Sequence, residues 1–305
     1  MTERVGVIGL GNAGLALASP VSRRLKVLGY DLDNKRQELA RGAGIEVAPD
    51  AQAVARACDI LMLCLPNPAI SRRVLQGIDS ASLKGRLIIE NSTVGPDDIE
   101  ALLQIARPAG AALIECAILG GVQKLSNAKG TFLVGGSNED FARAKVVLDC
   151  AAEKIFYLGP LGNGMRTKLV CNGVAHAVMV VLIEAAALAA KQGIPMDVFY
   201  ELMQRESGLM RPLTHRFAER IFKQDFSGGM TTANARKDSA LILGVAQELG
   251  VPLFVHSAAH TAYEIAMNDR NHPHLAREDY AAISKLWEDW TGVTFGSPEA
   301  SQRTT

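Results

Sequence analysis

Gly9-Leu10-Gly11-Asn12-Ala13-Gly14 sets three glycines at the spacing with which a backbone grips a pyrophosphate. Gly9 permits a tight turn, Gly11 lets the backbone approach the phosphates, and Gly14 lets a helix pack against the preceding strand. The N-terminal amides of that helix then face the anion. A glycine-rich turn by itself occurs in many α/β proteins. Here it closes a Val-Gly-Val-Ile run and precedes Asp31, an acid about 20 residues on, where a carboxylate accepts hydrogen bonds from the adenosine ribose. These residues predict a dinucleotide cofactor. The negative charge of Asp31 repels a 2′-phosphate, so NAD is expected over NADP. Lys35 and Arg36 stand close enough to blunt that preference, although exposed charges on the next helix are the plainer reading.

Such a turn works only between a strand and a helix, and the surrounding sequence supplies both. Apolar or β-branched runs recur at Arg4–Gly9, Lys26–Tyr30, Ile60–Leu65, Leu87–Glu90, Ala112–Cys116, Thr131–Val134 and Lys154–Leu158, with helix-like segments such as Pro49–Ala57 and Pro96–Ala106 between them. Continuous apolar strands alternating with helices predict a doubly wound α/β sheet, mainly parallel in its first part. Past Gly159–Gly162 the pattern changes. Asn163 to Gln192 reads as one helix of roughly 45 Å, and breaks at Gly193–Pro195, Ser227–Gly229, Gly250–Pro252 and His272–His274 divide further helices. The chain of 305 residues is therefore expected to hold a Rossmann domain (1–161) and an all-α domain (162–305), with the long helix between domains. The tail from Gly296 is polar and expected to fray.

Composition narrows the partners. Lys plus Arg and Asp plus Glu both number 32, which gives no basic excess for nucleic acid or anionic membranes. Cys58, Cys64, Cys116, Cys150 and Cys171 show no CxxC spacing and read as buried free thiols in a reducing compartment. The first strand-like run starts at Arg4 with no basic leader before it, so a secreted protein is not expected. Val170 to Ala190 is very apolar, but Asn172, His176 and Glu184 interrupt it. A helix buried in protein is expected there rather than a membrane span. The expectation is a cytoplasmic protein.

Six segments in order then resemble one family, the β-hydroxyacid dehydrogenases, which include 3-hydroxyisobutyrate dehydrogenase and tartronate semialdehyde reductase types. Besides the glycine turn, Leu65-Pro66-Asn67 and Asn91-Ser92-Thr93 resemble its cofactor-side loops. Glu115-Cys116-Ala117-Ile118-Leu119-Gly120-Gly121 sits where the family has a substrate loop, typically Asp-Ala-Pro-Val-Ser-Gly-Gly. Gly162-Asn163-Gly164, followed by Lys168 and Asn172, resembles its catalytic segment. Lys237-Asp238 and Asp279-Tyr280-Ala281-Ala282-Ile283 resemble two late motifs. The resemblance implies an NAD(P)-dependent dehydrogenase acting on a small anionic hydroxy acid. Its helical half would be like the C-terminal domain of 6-phosphogluconate dehydrogenase. Thr93 would lie near the nicotinamide, and Lys237 would serve both cofactor and substrate.

The residues themselves agree at the central point. Lys168 and Asn172 are one helical turn apart on one face. A lysine in an apolar cleft loses solvation, and its pKa falls toward the range useful for proton transfer. Lys168 would take the hydroxyl proton as hydride leaves for the nicotinamide, and Asn172 would orient it. A lysine snorkelling at the surface is the competing reading. Gly120 and Gly121 would offer backbone N–H groups to an anion, or form a plain tight turn.

Several positions depart from the family. Leu119 replaces the serine before Gly-Gly, Ala117 the proline, Glu115 the aspartate, and Cys171 an asparagine. Leu119 should favour a bulkier or less polar substituent. No metal is expected: His256 and His260 share a helix face, but no third ligand is evident. His176 reads as an interior histidine, and Arg205, Arg211 and Arg216 as surface charges, with a minority reading in which one of them holds an acidic group. The alternatives are an imine reductase or reductive aminase on the same scaffold, which usually lacks the lysine, and a non-catalytic dinucleotide-binding protein. The breadth of apolar surface along Val178–Leu182 and Ala185–Ala190 predicts a homodimer or homotetramer.

Overall fold

A computed structural model describes residues 4–205, 209–210 and 212–296. They divide into two compact units between Gly173 and Val174, within the long helix Asn163–Lys191.

The first unit is built on eight strands: β1 (Val5–Ile8), β2 (Val27–Tyr30), β3 (Glu46–Val47), β4 (Ile60–Leu63), β5 (Leu87–Glu90), β6 (Ala112–Leu119), β7 (Gly130–Gly135) and β8 (Ala152–Tyr157). Their order is β3-β2-β1-β4-β5-β6-β7-β8, and neighbours run parallel except for the antiparallel pair β6 and β7. The reason the central strands read as unbroken apolar runs lies in their two-sided burial. Val5, Val7, Ile60, Met62, Leu87 and Ile89 belong to one core; Ile8, Leu61, Leu63 and Ile88 belong to another on the opposite face. From β3 the chain returns past β1 to begin β4. The β1–β4 junction is therefore the switch point where strand ends leave a crevice for a ligand.

Two features of this unit differ from the sequence expectation. β3, only two residues long, is too short to show a period. β6 runs on to Leu119, because Ala117, Ile118 and Leu119 pair with Leu133, Phe132 and Thr131 of β7. Leu119 is thus a strand residue, not a loop residue.

The second unit contains helices and turns, with no strand among its described residues. Besides the rest of the long helix it has Met196–Gln204, a π-helical segment Pro212–Ile221, Thr232–Leu249, Phe254–Met267 and Ser284–Thr291. The predicted breaks fall between these elements. Asp279 lies fully buried, with Arg216 Nε and Arg220 Nε at 3.2 and 3.5 Å. Arg216 is therefore not the surface charge the sequence suggests, since a buried carboxylate requires a cationic partner. Arg205 is exposed and pairs with Glu201, while Arg211 and the tail beyond Gly296 lie outside the described residues.

Glu184, also buried, accepts the Val255 N–H at 2.9 Å and lies 2.9 Å from His256 Nδ1, which ties the long helix to the start of Phe254–Met267. His260 Nδ1 lies 2.8 Å from Ser239 Oγ. Both histidines are engaged within the helices, and no three His, Cys, Asp or Glu side chains cluster among the described residues. The long helix has the length and composition to cross a membrane. Contrary to expectation it is not covered by its own chain: Val170 and Ile183 are 68% and 56% exposed, and His176 is exposed rather than interior. The remaining helices leave that stretch of apolar surface open.

Candidate cofactor and catalytic site

The glycine turn is sterically committed. A Cβ at Gly9, where φ is +96°, would lie 2.3 Å from the Cys64 carbonyl oxygen, and one at Gly14 would lie 1.8 Å from the Gly9 oxygen. At Gly11 nothing lies within 4 Å, and this residue lines a cavity of about 340 Å³ together with Gly9, Asn12, Ala13, Asp31, Leu65 and Pro66. Gly11 caps the helix Asn12–Ser22 without a side-chain bond, so its first amides keep their capacity for an anion. The open face at Gly11, the amide-rich helix start and the acid beyond them fit a dinucleotide.

Asp31 has a second task that sequence did not reveal. Its carboxylate accepts Leu10 N–H at 2.6 Å and Asp33 N–H at 2.9 Å, which braces the glycine turn. Leu10 contributes that amide alone, because its side chain is fully buried. Arg36 donates to Asn12 Oδ1 at 2.9 Å and so stands beside the turn instead of projecting freely into solvent.

A second cavity, about 350 Å³, shares Ala13, Cys64, Leu65 and Pro66 with the first and continues along Asn91, Ser92, Thr93, Ile118, Gly121, Val122 and Lys168. The two loops in its wall are tied together. Ser92 Oγ accepts Leu65 N–H at 2.8 Å, and Glu90 Oε1 accepts Ser92 N–H at 2.8 Å. Asn91 Nδ2 donates to the Cys116 carbonyl at 2.9 Å. Asn67 does not line either cavity; its side chain caps the helix Pro68–Gly77 by accepting Ile70 N–H.

Lys168 is positioned by the way its helix begins. Glu115, fully buried at the end of the parallel part of β6, accepts Gly164 N–H at 2.8 Å and Met165 N–H at 3.3 Å. A carboxylate at this place satisfies orphan amides and complements the helix dipole. Burial raises the Glu115 pKa while the Gly164 and Met165 bonds oppose the rise. A Cβ at Gly164 would sit 2.6 Å from the Leu133 oxygen, so the residue must be glycine for the helix to start this close to β7. One turn on, Lys168 is half-buried in the second cavity, and its Nζ donates to the Ile118 carbonyl at 2.6 Å. Loss of solvation holds its pKa below the usual lysine range, which Cys171 partly offsets.

The structure thus brings Lys168, Thr93, Leu65, Pro66 and Gly121 together. Gly120 (φ +101°) turns the chain after β6, and Leu119 is half-buried against the second core; neither lines the cavity. Asn172 lies one turn beyond Lys168, whose bond goes to Ile118 instead of to that side chain. Lys237, on Thr232–Leu249 in the second unit, is exposed and pairs with Asp238 at 3.2 Å. Glu90 was not singled out from sequence, and Asn91, Glu115 and Ile118 were named only within the loop motifs, with no role of their own. The available signal was a charged residue inside an otherwise apolar strand, as in Leu-Ile-Ile-Glu and Ala-Leu-Ile-Glu.

Comparison with known proteins agrees with this geometry. Residues 4–159 match the NAD binding domain of 6-phosphogluconate dehydrogenase, and residues 162–287 match the NAD-binding domain of NADP-dependent 3-hydroxyisobutyrate dehydrogenase. The chain is 29% identical to 2-(hydroxymethyl)glutarate dehydrogenase of Eubacterium barkeri, over 95% of its own length and 97% of the relative's. Among solved structures it resembles an imine reductase from Pseudomonas sp. at 20% identity and TM-score 0.83, covering 94% of this chain and all of that one. It also resembles Mycobacterium tuberculosis 3-hydroxyisobutyrate dehydrogenase at 25% identity and TM-score 0.62, over 94% of this chain and 99% of the other. The chain belongs to the β-hydroxyacid dehydrogenase family and is an NAD(P)-dependent oxidoreductase.

Proposed function

We propose that the chain interconverts a small β-hydroxy acid and its semialdehyde or keto form, with Lys168 as the general acid–base. The observation that carries this reading is the half-buried Lys168 ammonium in the 350 Å³ cavity whose wall also holds Thr93, Leu65 and Pro66. The nicotinamide ring, when bound, accepts or returns the hydride. In the oxidation direction neutral Lys168 Nζ takes the hydroxyl proton, and in reduction the ammonium gives it back to the carbonyl oxygen. Desolvation lowers the cost of its neutral form. The Ile118 carbonyl restrains Nζ without neutralising it, and Glu115 fixes the helix from which it projects. Gly121, which lines the cavity, and Asn172, one turn beyond Lys168, are proposed to hold the anionic end of the substrate. The related 2-(hydroxymethyl)glutarate dehydrogenase supports a hydroxymethyl acid as the substrate type.

NAD is the proposed preferred cofactor, because the Asp31 carboxylate at the edge of the 340 Å³ cavity disfavours a 2′-phosphate. The exposed apolar residues of the long helix support a homodimer or homotetramer formed through that helix, and the cytoplasm is the proposed location. The test is a panel of short and bulky β-hydroxy acids, each with NAD and with NADP, beside a panel of ketone-plus-amine pairs with NADH and with NADPH. Turnover of the hydroxy acids with NAD is expected. Turnover of the amine pairs alone would replace this reading with imine reduction.

A further inference from the structure

Glu90 ends β5 immediately before the Asn91–Thr93 loop and is fully buried. Through Oε1 it holds Ser92 N–H, and Ser92 Oγ in turn holds Leu65 N–H, both at 2.8 Å. One carboxylate is thereby linked to both loops in the wall that Lys168 faces. Its other oxygen differs from anything at Glu115, the residue in register with it on β6. Both oxygens of Glu115 meet helix amides, whereas Glu90 Oε2 is sealed from solvent and makes no hydrogen bond of normal geometry. Ser71 Oγ, on the helix Pro68–Gly77, is buried and unpartnered too, yet close enough to help hold the charge of Glu90. A group kept only for stability is normally satisfied at both oxygens.

We infer that Glu90 is a positioning residue of the cofactor cavity: through Ser92 it sets the Leu65–Pro66 and Ser92–Thr93 loops against each other, and its charge favours the oxidised, cationic nicotinamide over the reduced one. This rests on the reading that places the nicotinamide in the cavity beside Thr93 and Lys168. Burial pushes the Glu90 carboxyl up to about 7, with the Ser92 bond and the nearby Ser71 hydroxyl opposing the rise. The ionisable groups on the elements around it are Cys64 just past β4, Glu115 and Cys116 on β6, and, on Pro68–Gly77, Arg73 and Arg72, the latter paired with Asp98 of Pro96–Ala106 at 3.3 Å. Burial and Glu90 hold the Cys64 thiol far up, so it stays protonated.

Below neutrality Glu90 is protonated and indifferent to the ring's charge. As pH rises through about 7 it becomes anionic, and NAD+ gains affinity relative to NADH.

The experiment measures NADH binding by fluorescence, and NAD+ binding by competition against it, from about pH 5.5 to 8.5. In the wild type the ratio of the NAD+ to the NADH dissociation constant should fall about three- to tenfold across that range. Glu90→Gln, neutral at every pH and still able to accept Ser92 N–H, should flatten the ratio and thereby separate Glu90 from Glu115. Ser71→Ala removes a group that stabilises the charge, so it should move the inflection to higher pH. A wild-type ratio that does not change, or one that changes equally in Glu90→Gln, overturns the inference. Should Glu90→Gln fail to fold, an unshifted inflection in Ser71→Ala does so. If the wild type binds neither nucleotide, the cavity reading fails first and takes this one with it.

Discussion

In the first unit β1, β4 and β5 bury every residue, and each face of the sheet carries its own core. In the second, Val174, Ile183 and Tyr200 stand 61%, 56% and 65% exposed, and the buried apolar residues form two small groups, one around Ile221, Phe226 and Leu286 and one of Ala246, Val251 and Leu253. Soluble single chains rarely leave apolar surface of this extent uncovered. The first unit therefore forms the two cavities from its own residues, while the second leaves apolar helix surface open. The same contrast appears in how the two handle buried acids. Glu115 caps the helix that carries Lys168, whereas Asp279 and Glu184 pin helical segments of the second unit to one another.

Removing one acid should break the first unit most severely. Glu115→Ala leaves the buried Gly164 and Met165 amides without a partner, at about 1–3 kcal/mol each. A loss of roughly 2–6 kcal/mol in denaturant unfolding is expected, with kcat falling as the Lys168 helix loosens. Glu115→Gln, which keeps one acceptor oxygen, should recover part of both. An unchanged midpoint would show that the cap contributes nothing.

The second unit should respond in assembly rather than in folding. Burying a valine or isoleucine side chain stabilises by about 1.5–3 kcal/mol, so the double change Val174→Arg, Ile183→Arg should shift light scattering from dimer or tetramer to monomer. The midpoint of the first unit should stay put. A wild type that is already monomeric at micromolar concentration would mean that self-association does not account for the exposed helix.

The smallest effect is expected at Asp31. Asp31→Ser loses hydrogen bonds from the ribose and from Leu10 N–H, and the preference for NAD over NADP should fall about tenfold. Equal kcat/KM for the two cofactors in the unaltered protein would contradict the assignment.

Strands with two buried faces and the long helix were legible in the sequence to within a few residues, because their apolar runs are continuous and bounded by glycine or proline. The glycine turn was legible because its chemistry is local. What escaped reading depends on partners far along the chain. Glu115 meets Gly164 49 positions away, and Leu65 meets Ser92 27 positions away; no spacing rule links either pair. Leu119 looked like a loop residue because its strand pairing is set by β7 and not by its own neighbours. His176 looked interior because the apolar residues around it suggest burial, and only the tertiary structure shows which of them are covered.

The central claim is that Lys168 carries the proton, and it is tested most directly by kcat of Lys168→Ala measured alongside its NADH dissociation constant. General acid–base catalysis contributes about 10²–10⁴-fold, so kcat should fall by that order. NADH binding should change little, because the glycine turn and Asp31 are the proposed hold on the cofactor. Lys168→Arg should not restore activity, since a guanidinium does not give up its proton near neutrality. Activity within about threefold of wild type would contradict the account, leaving Lys168 as a lysine that braces the Ile118 carbonyl and nothing more.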